Sequence, residues 1–231
     1  MFPDGGSDRS EGGGVTVRDD VDALARRALA LVPADGRAIV GIAGSPGSGK
    51  TTLARAVADR ANRMAGDGTA VHLPMDGFHL ANATLDLLGR HGRKGALDTF
   101  DGWGFVALLQ RILGERDHIV YAPAFERIVD EPVAGSIPVP PGARLVIAEG
   151  NYLLVDQDPW SRIPSLLAES WFVATPEEER MRRLVDRHTR HGRTPEAAAV
   201  WARDVDGANA ALIEPTASRA SLVVSGTGAD W

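Results

Sequence analysis

Residues 44 to 51 read Gly-Ser-Pro-Gly-Ser-Gly-Lys-Thr, directly after the apolar run RAIVGIAG and directly before a helical pattern that lasts to about Met64. A strand, a glycine-rich turn and a helix in that order constrain the fold more than any other feature of the chain. Glycines let successive backbone N–H groups turn inward around an anion, and the helix that follows points its positive end at the same spot. The spacing fits G-x-x-x-x-G-K-[ST] at every fixed position, which identifies a phosphate-binding loop. Gly44, Ser45, Pro46, Gly47, Ser48 and Gly49 form the cradle, and Lys50, Thr51 and Thr52 open the helix. In such a loop the lysine neutralises the β and γ phosphates of ATP, and the Thr51 hydroxyl ligates Mg2+.

A loop of this kind needs a parallel sheet, and the rest of the sequence supplies one. Strand-like runs recur at 69–73, 144–150, 170–174 and 221–224, separated by helical patterns at 80–90, 101–113, 176–191 and 195–212. Alternation of strands with helices predicts an α/β fold, a P-loop NTPase-type parallel sheet with helices on both faces. Such sheets bind ligands beyond the carboxyl ends of their strands. An amphipathic helix is predicted over Val17–Val32, where Val21, Leu24, Ala25, Ala28 and Leu29 share a face. Residues 123–142 contain five prolines and no helical period, so they read as an irregular or hairpin excursion. Residues 1–15 are polar and glycine-rich and read as a disordered tail. The remainder, 16–231, reads as one domain with an arginine-rich lid helix in a segment of about 176–205.

Composition excludes several functional classes. Lys and Arg total 25 against 31 Asp and Glu, a net charge of −6, which argues against nucleic acid as a partner. No cysteine is present, so disulfides, thiol catalysis and Cys-ligated metals are excluded. No apolar stretch reaches the length of a membrane span, and the first residues do not resemble a signal peptide. A cytoplasmic chain acting on a small molecule is expected, and a homodimer is compatible with the sequence.

The stretch LPMDGFHLAN, residues 73–82, drops one carboxylate, Asp76, at the end of a predicted strand. Two readings stand side by side. Asp-Gly is a good turn pair, and a carboxylate at a strand's carboxyl end beside the P-loop strand is placed to take the proton of an attacking hydroxyl. Phe78 is a candidate apolar wall of a substrate pocket. His79 is either a substrate contact or a structural histidine.

Four blocks together resemble a known family: GSPGSGKTTLA at 44–54, MDGFHLAN at 75–82, RKGALDTFDGWGF at 93–105 and VIAEGNYLL at 146–154, followed by an arginine-rich helix. They resemble the P-loop kinases of small metabolites, the group of type I pantothenate kinase, uridine kinase and phosphoribulokinase, nearest to a poorly characterised nucleoside or nucleotide kinase-like branch. The resemblance implies transfer of the ATP γ-phosphoryl group to a hydroxyl of a pantothenate-, nucleoside- or sugar-type acceptor, with Asp76 as base. It implies a magnesium-supporting role for Glu149, and a role for Arg187 and Arg193 as lid residues that clamp phosphate. Asp98, Asp101, Tyr121, Phe125 and Arg127 are candidates for the acceptor pocket. Arg127 lies where pantothenate kinase has a histidine, and suggests an acceptor with a carboxylate, a phosphate or several hydroxyls. Asp101 reads equally well as a helix cap. Uridine kinases carry an aspartate where this chain has Gly95. A rival from another class is a nucleotide sensor or ATPase without an acceptor, and the absence of an N-K-x-D motif counts against a GTPase-like switch.

Overall fold

The computed structural model describes residues 16–17 and 20–227, so the segment expected to be a disordered tail lies outside the described residues. Its main sheet has six strands in the order β1-β8-β7-β2-β6-β3, all parallel. These are β1 (Thr16–Val17), β2 (Ala38–Ala43), β3 (Ala70–Pro74), β6 (Leu145–Gly150), β7 (Glu169–Ala174) and β8 (Leu222–Ser225). The short edge strand β1 falls just after the expected tail, where the sequence suggested a helix start; the helix α1 (Val21–Ala30) begins later, capped by the Asp20 side chain.

Every residue of β2 and β6 is buried, as expected for parallel strands covered on both faces. Side chains alternate across the sheet with period two. On one face Val40, Ile42 and Ile147 meet α1 and α2 (Lys50–Ala65) through Leu24, Leu53 and Val57. On the other, Ile39, Val146 and Phe172 join α4 (Gly102–Gly114), Tyr152 and Trp160 in a second core.

The proline-rich segment is a hairpin, β4 (Val120–Glu126) and β5 (Glu131–Val139), paired antiparallel with a register shift between Ala122 and Ala124. Pro123 sits at that bulge, where no ladder N–H is needed. After β3 the chain makes a single 3-10 turn over Met75–Phe78, and then α3 (Asn82–Leu87). The turn is pinned from the side, because Asp101 N–H bonds Phe78 O at 2.8 Å and Leu80 N–H bonds Thr99 O at 2.9 Å. The single long helix expected over 195–212 is divided into α6 (Pro195–Trp201), a π-helical turn (Ala202–Asp206) and α7 (Gly207–Ile213), following α5 (Glu177–Arg190). One topological expectation is corrected: β3 does not lie beside the P-loop strand β2, because β6 is inserted between them.

Candidate active site

The insertion of β6 brings three strand ends together. Glu149 of β6 is in register with Ile42 of β2 on one side and Pro74 of β3 on the other. The loop after β2 therefore begins at Gly44, two residues past Glu149's level, and Asp76 likewise follows two residues past Pro74. Lys50, Thr51 and Asp76 consequently line one cleft of about 480 Å³.

The glycines of the loop do what their spacing predicts. Gly49 caps α2 in the left-handed region at φ 98°, and Gly47 sits at φ 79° with its α-carbon face against the backbone of Arg180, where a Cβ would come within 2.8 Å of a carbonyl oxygen. The loop is braced from behind. Thr175 Oγ1 donates to Ser48 O at 2.9 Å, and Arg183 spans Ser48 O at 3.3 Å and Gly226 O at 3.0 Å. Among the described residues the Oγ atoms of Ser45 and Ser48 are buried without a hydrogen-bond partner, which suits a loop whose ligand is an anion. Thr52 is exposed on α2 and turns away from the cleft-lining set.

Thr51 Oγ1 donates to Glu149 Oε1 at 3.0 Å, so hydroxyl and carboxylate are already side by side. Glu149 is 2% exposed, and His72 Nε2 stands 3.7 Å from the same oxygen, an ion-pair rather than a hydrogen-bond distance. Burial alone would raise the Glu149 carboxyl; His72, Lys50 and the Thr51 hydroxyl outweigh it and hold the group below the ordinary carboxylate range. Magnesium takes one or two protein oxygens and completes its shell with phosphate and water. Thr51 and Glu149 meet that donor set, and among the described residues no cluster of three or more His, Cys, Asp or Glu competes for a metal.

Of the other candidates read from sequence, His79, Phe125, Arg127, Arg187 and Arg193 also line the cleft. His79 Nδ1 meets Asp76 O at 2.8 Å, and its ring packs against Phe100 at 4.0 Å and Phe125 at 4.8 Å. Burial pushes the imidazole below its ordinary value, so a neutral ring with Nδ1–H donating to the carbonyl is the consistent state. Arg193 lies over the Trp201 ring at 4.0 Å.

Four candidates stand elsewhere. Phe78 packs edge-on against Phe105 in the core. Asp98 pairs with Arg90 at 3.4 Å and with Arg93 at the surface. Asp101 caps α4 by accepting from Gly104 N at 2.8 Å, the helix-cap alternative. Tyr121 points to solvent at 57% exposure, because β4 has only one covered face.

Comparison with known proteins agrees with this geometry. No protein-family model matches the chain. A candidate uridine kinase of Schizosaccharomyces pombe is 34% identical over 171 residues, 72% of this chain and 73% of that protein. The chain belongs to the P-loop kinases related to uridine kinase. An ATP-dependent kinase-like protein of Aspergillus versicolor is 40% identical over 132 residues, covering 54% of this chain and 77% of that one. A crystal structure described as a candidate fructose transport system kinase, from Silicibacter sp. TM1040, superimposes with a TM-score of 0.79 at 35% identity, covering 89% of this chain and 98% of that one.

The cleft and its surroundings also contain residues to which the sequence assigned no defined chemistry. Asp206 reaches the cleft from the π-helical turn and accepts a hydrogen bond from His188 Nε2 at 2.7 Å. Asn209 Nδ2 and Tyr152 OH both donate to Gly95 O, at 3.1 and 2.6 Å. Asn209 thereby ties α7, and Tyr152 the turn after β6, to the segment around Gly95. Lys94 is held by Asn82 Oδ1 at 2.6 Å and Asp130 Oδ2 at 2.8 Å. The π-helical turn that carries Asp206 keeps a helical composition, so the sequence does not mark it.

Proposed function

We propose that this kinase transfers the γ-phosphoryl group of magnesium-ATP to a hydroxyl of a small metabolite, with Asp76 as the general base. The observation that carries the reading is the meeting of Lys50, Thr51, Asp76 and Arg187 on one cleft above Glu149. In the reaction the acceptor oxygen forms a bond to the γ phosphorus, the bond from that phosphorus to the bridging oxygen breaks, and ADP leaves. The acceptor's proton goes to the Asp76 carboxylate. Lys50 and the loop amides hold the triphosphate, while Arg187 and Arg193, from α5 and the turn after it, act as a lid whose charge meets the equatorial oxygens. Thr51 and Glu149 would hold Mg2+, which supplies neutralisation of charge on the β and γ oxygens. Closure of the lid excludes water and limits hydrolysis of ATP.

The names of the relatives suggest a nucleoside or a sugar as acceptor, and the resemblance to pantothenate kinase adds pantothenate; each presents a hydroxyl that Asp76 can deprotonate. A net charge of −6 supports a small molecule rather than a nucleic acid as partner. Among the described residues no helix is long and apolar enough to cross a membrane. A cytoplasmic reaction is the corresponding proposal.

The experiment is single-turnover phosphorylation of uridine, fructose and pantothenate at saturating magnesium-ATP by wild type and Asp76→Asn. Asparagine keeps the size and the acceptor oxygen but cannot take a proton at neutral pH. ATP affinity should stay within a few-fold while transfer falls by roughly 10²–10⁴. Near-wild-type transfer by a folded Asp76→Asn protein would reduce Asp76 to a turn residue, and nucleotide binding without acceptor-dependent ADP formation would point to a sensor.

A further inference from the structure

Several of the cleft's charges are already committed. Lys94 is paired with Asp130 at 2.8 Å, and Asp206 with His188 at 2.7 Å. The remaining charged groups on the lining are Lys50, Arg127, Arg187 and Arg193, facing one carboxylate, Asp76. Lys50 rises from the phosphate loop, and Arg187 and Arg193 come from α5 and the turn after it. Those three, with the loop amides, surround the triphosphate side. Arg127 has a different origin. It projects from the end of the β4–β5 hairpin, two residues past Phe125, whose ring continues the aromatic floor formed by His79 and Phe100.

No hydrogen bond or ion pair engages the Arg127 side chain among the described residues, in contrast to Arg90, Arg93, Arg182, Arg183 and Arg190. It also faces a like charge. After burial, and against the opposing charge of Asp206, Arg127 is among the groups that hold Arg187 below its ordinary value. A closed cleft sharpens that repulsion, because excluding water lowers the local dielectric. With the triphosphate taking up Arg187, a neutral acceptor would leave Arg127 with no counter-charge on its own side of the cleft.

We infer that the phosphoryl acceptor carries an anionic group, a phosphate ester or a carboxylate, seated on Arg127, with its body on the floor of His79, Phe100 and Phe125 and its hydroxyl at Asp76. This rests on the kinase reading above and narrows its acceptor class. An arginine fork matches either oxyanion in a bidentate way, which a lysine at the same point would not.

The test uses isothermal titration calorimetry on the full chain. Magnesium and the non-hydrolysable analogue AMP-PNP are added to saturation, and the complex is then titrated in two arms. One arm uses inorganic phosphate; the other compares pantothenate with panthenol, its neutral alcohol counterpart. The expected result is anion binding in at least one arm, weakened by about tenfold or more in Arg127→Gln, with AMP-PNP affinity unchanged within twofold. Arg127 is exposed on a hairpin, so the variant is expected to fold, and circular dichroism checks that it does. Anion binding in neither arm, binding indifferent to Arg127→Gln, or a comparable loss of AMP-PNP affinity would overturn the inference. In those outcomes AMP-PNP still binds the wild type, and the kinase reading stands. Failure of AMP-PNP to bind the wild type would overturn both.

Discussion

Lys50 is enclosed by the loop, and burial is the largest influence on its ammonium, lowering it; Glu149 and Asp76 work against burial, and Arg187 adds to it. A charge kept in that position is stabilised when a triphosphate arrives, and the loop that carries it is held by Thr175 and Arg183 rather than by the lysine itself. Lys50→Ala should therefore keep the melting temperature of the free protein and lose the stabilisation by magnesium-ATP, about 2.7 kcal/mol at a hundredfold excess over Kd. Thermal shift with and without nucleotide checks both halves, and an unchanged nucleotide shift would sink the role. Gly77 makes a different demand. A Cβ there would meet Pro123 O at 2.2 Å, a clash with hairpin backbone rather than within its own turn. Gly77→Ala should cost about 1–3 kcal/mol, read by urea denaturation, and should lower transfer because the turn that carries Asp76 must shift. The loop residues and Asp76 were legible because their signals are local and consecutive. His72, Asp206 and Asn209 were not, since each reaches the site only through strand register or helix packing.

α5 shows how one helix divides its arginines. The row at 180, 183, 187 and 190 reads as a single stripe in sequence, yet the structure gives its members separate tasks. Arg180 is buried, 3.6 Å from Glu214; Arg183 braces the phosphate loop and Glu179; Arg187 lines the cleft; Arg190 pairs outward with Asp186. A stripe spaced by three and four residues drifts around the helix, so its last member leaves the face that its first member occupies. Arg193 returns to the cleft only because Gly192, at φ 94°, turns the chain and Trp201 receives the guanidinium. If Arg187 and Arg193 act on charge that develops during transfer, replacing both by alanine should lower kcat by about 10²-fold or more with much less effect on acceptor affinity. Steady-state kinetics decide it, and unaltered turnover would leave the pair as a charged surface. Helix and strand boundaries in this part were legible to within a few residues. The break at Ala202–Asp206 was not, because a π-turn keeps helical composition and changes only the hydrogen-bond step.

At the scale of the molecule, the alternation of strands and helices made the parallel sheet legible, while strand order was not: adjacency of β2 and β3 was the natural guess, and only packing inserts β6 between them. That insertion couples the site to global stability, since it gathers His72, Glu149 and the Asp76 turn at one sheet edge, with His79 beyond it. His79 is buried against Phe100 and Phe125, and burial, the largest cause, lowers its imidazole in spite of Asp76. The sign follows from linkage. Between the lowered native value and the ordinary value of about 6.5, the unfolded chain binds a proton that the native chain refuses, so stability falls as pH drops below 6.5. Glu149 and Glu179 are held low in the native state, Glu179 at about 2 by Arg182 and Arg183, so their contribution is lost only at more acid pH. The interval from about pH 6.5 to 5 is therefore where His79 acts apart from them. His79→Asn keeps a donor at the position of Nδ1 and removes the titration. Its melting temperature should decline less steeply than the wild-type value across that interval, whatever its absolute level at pH 7.5. Parallel declines in the two proteins would mean that the imidazole is not held neutral by the fold, and that its bond to Asp76 O does not depend on the tautomer assigned above.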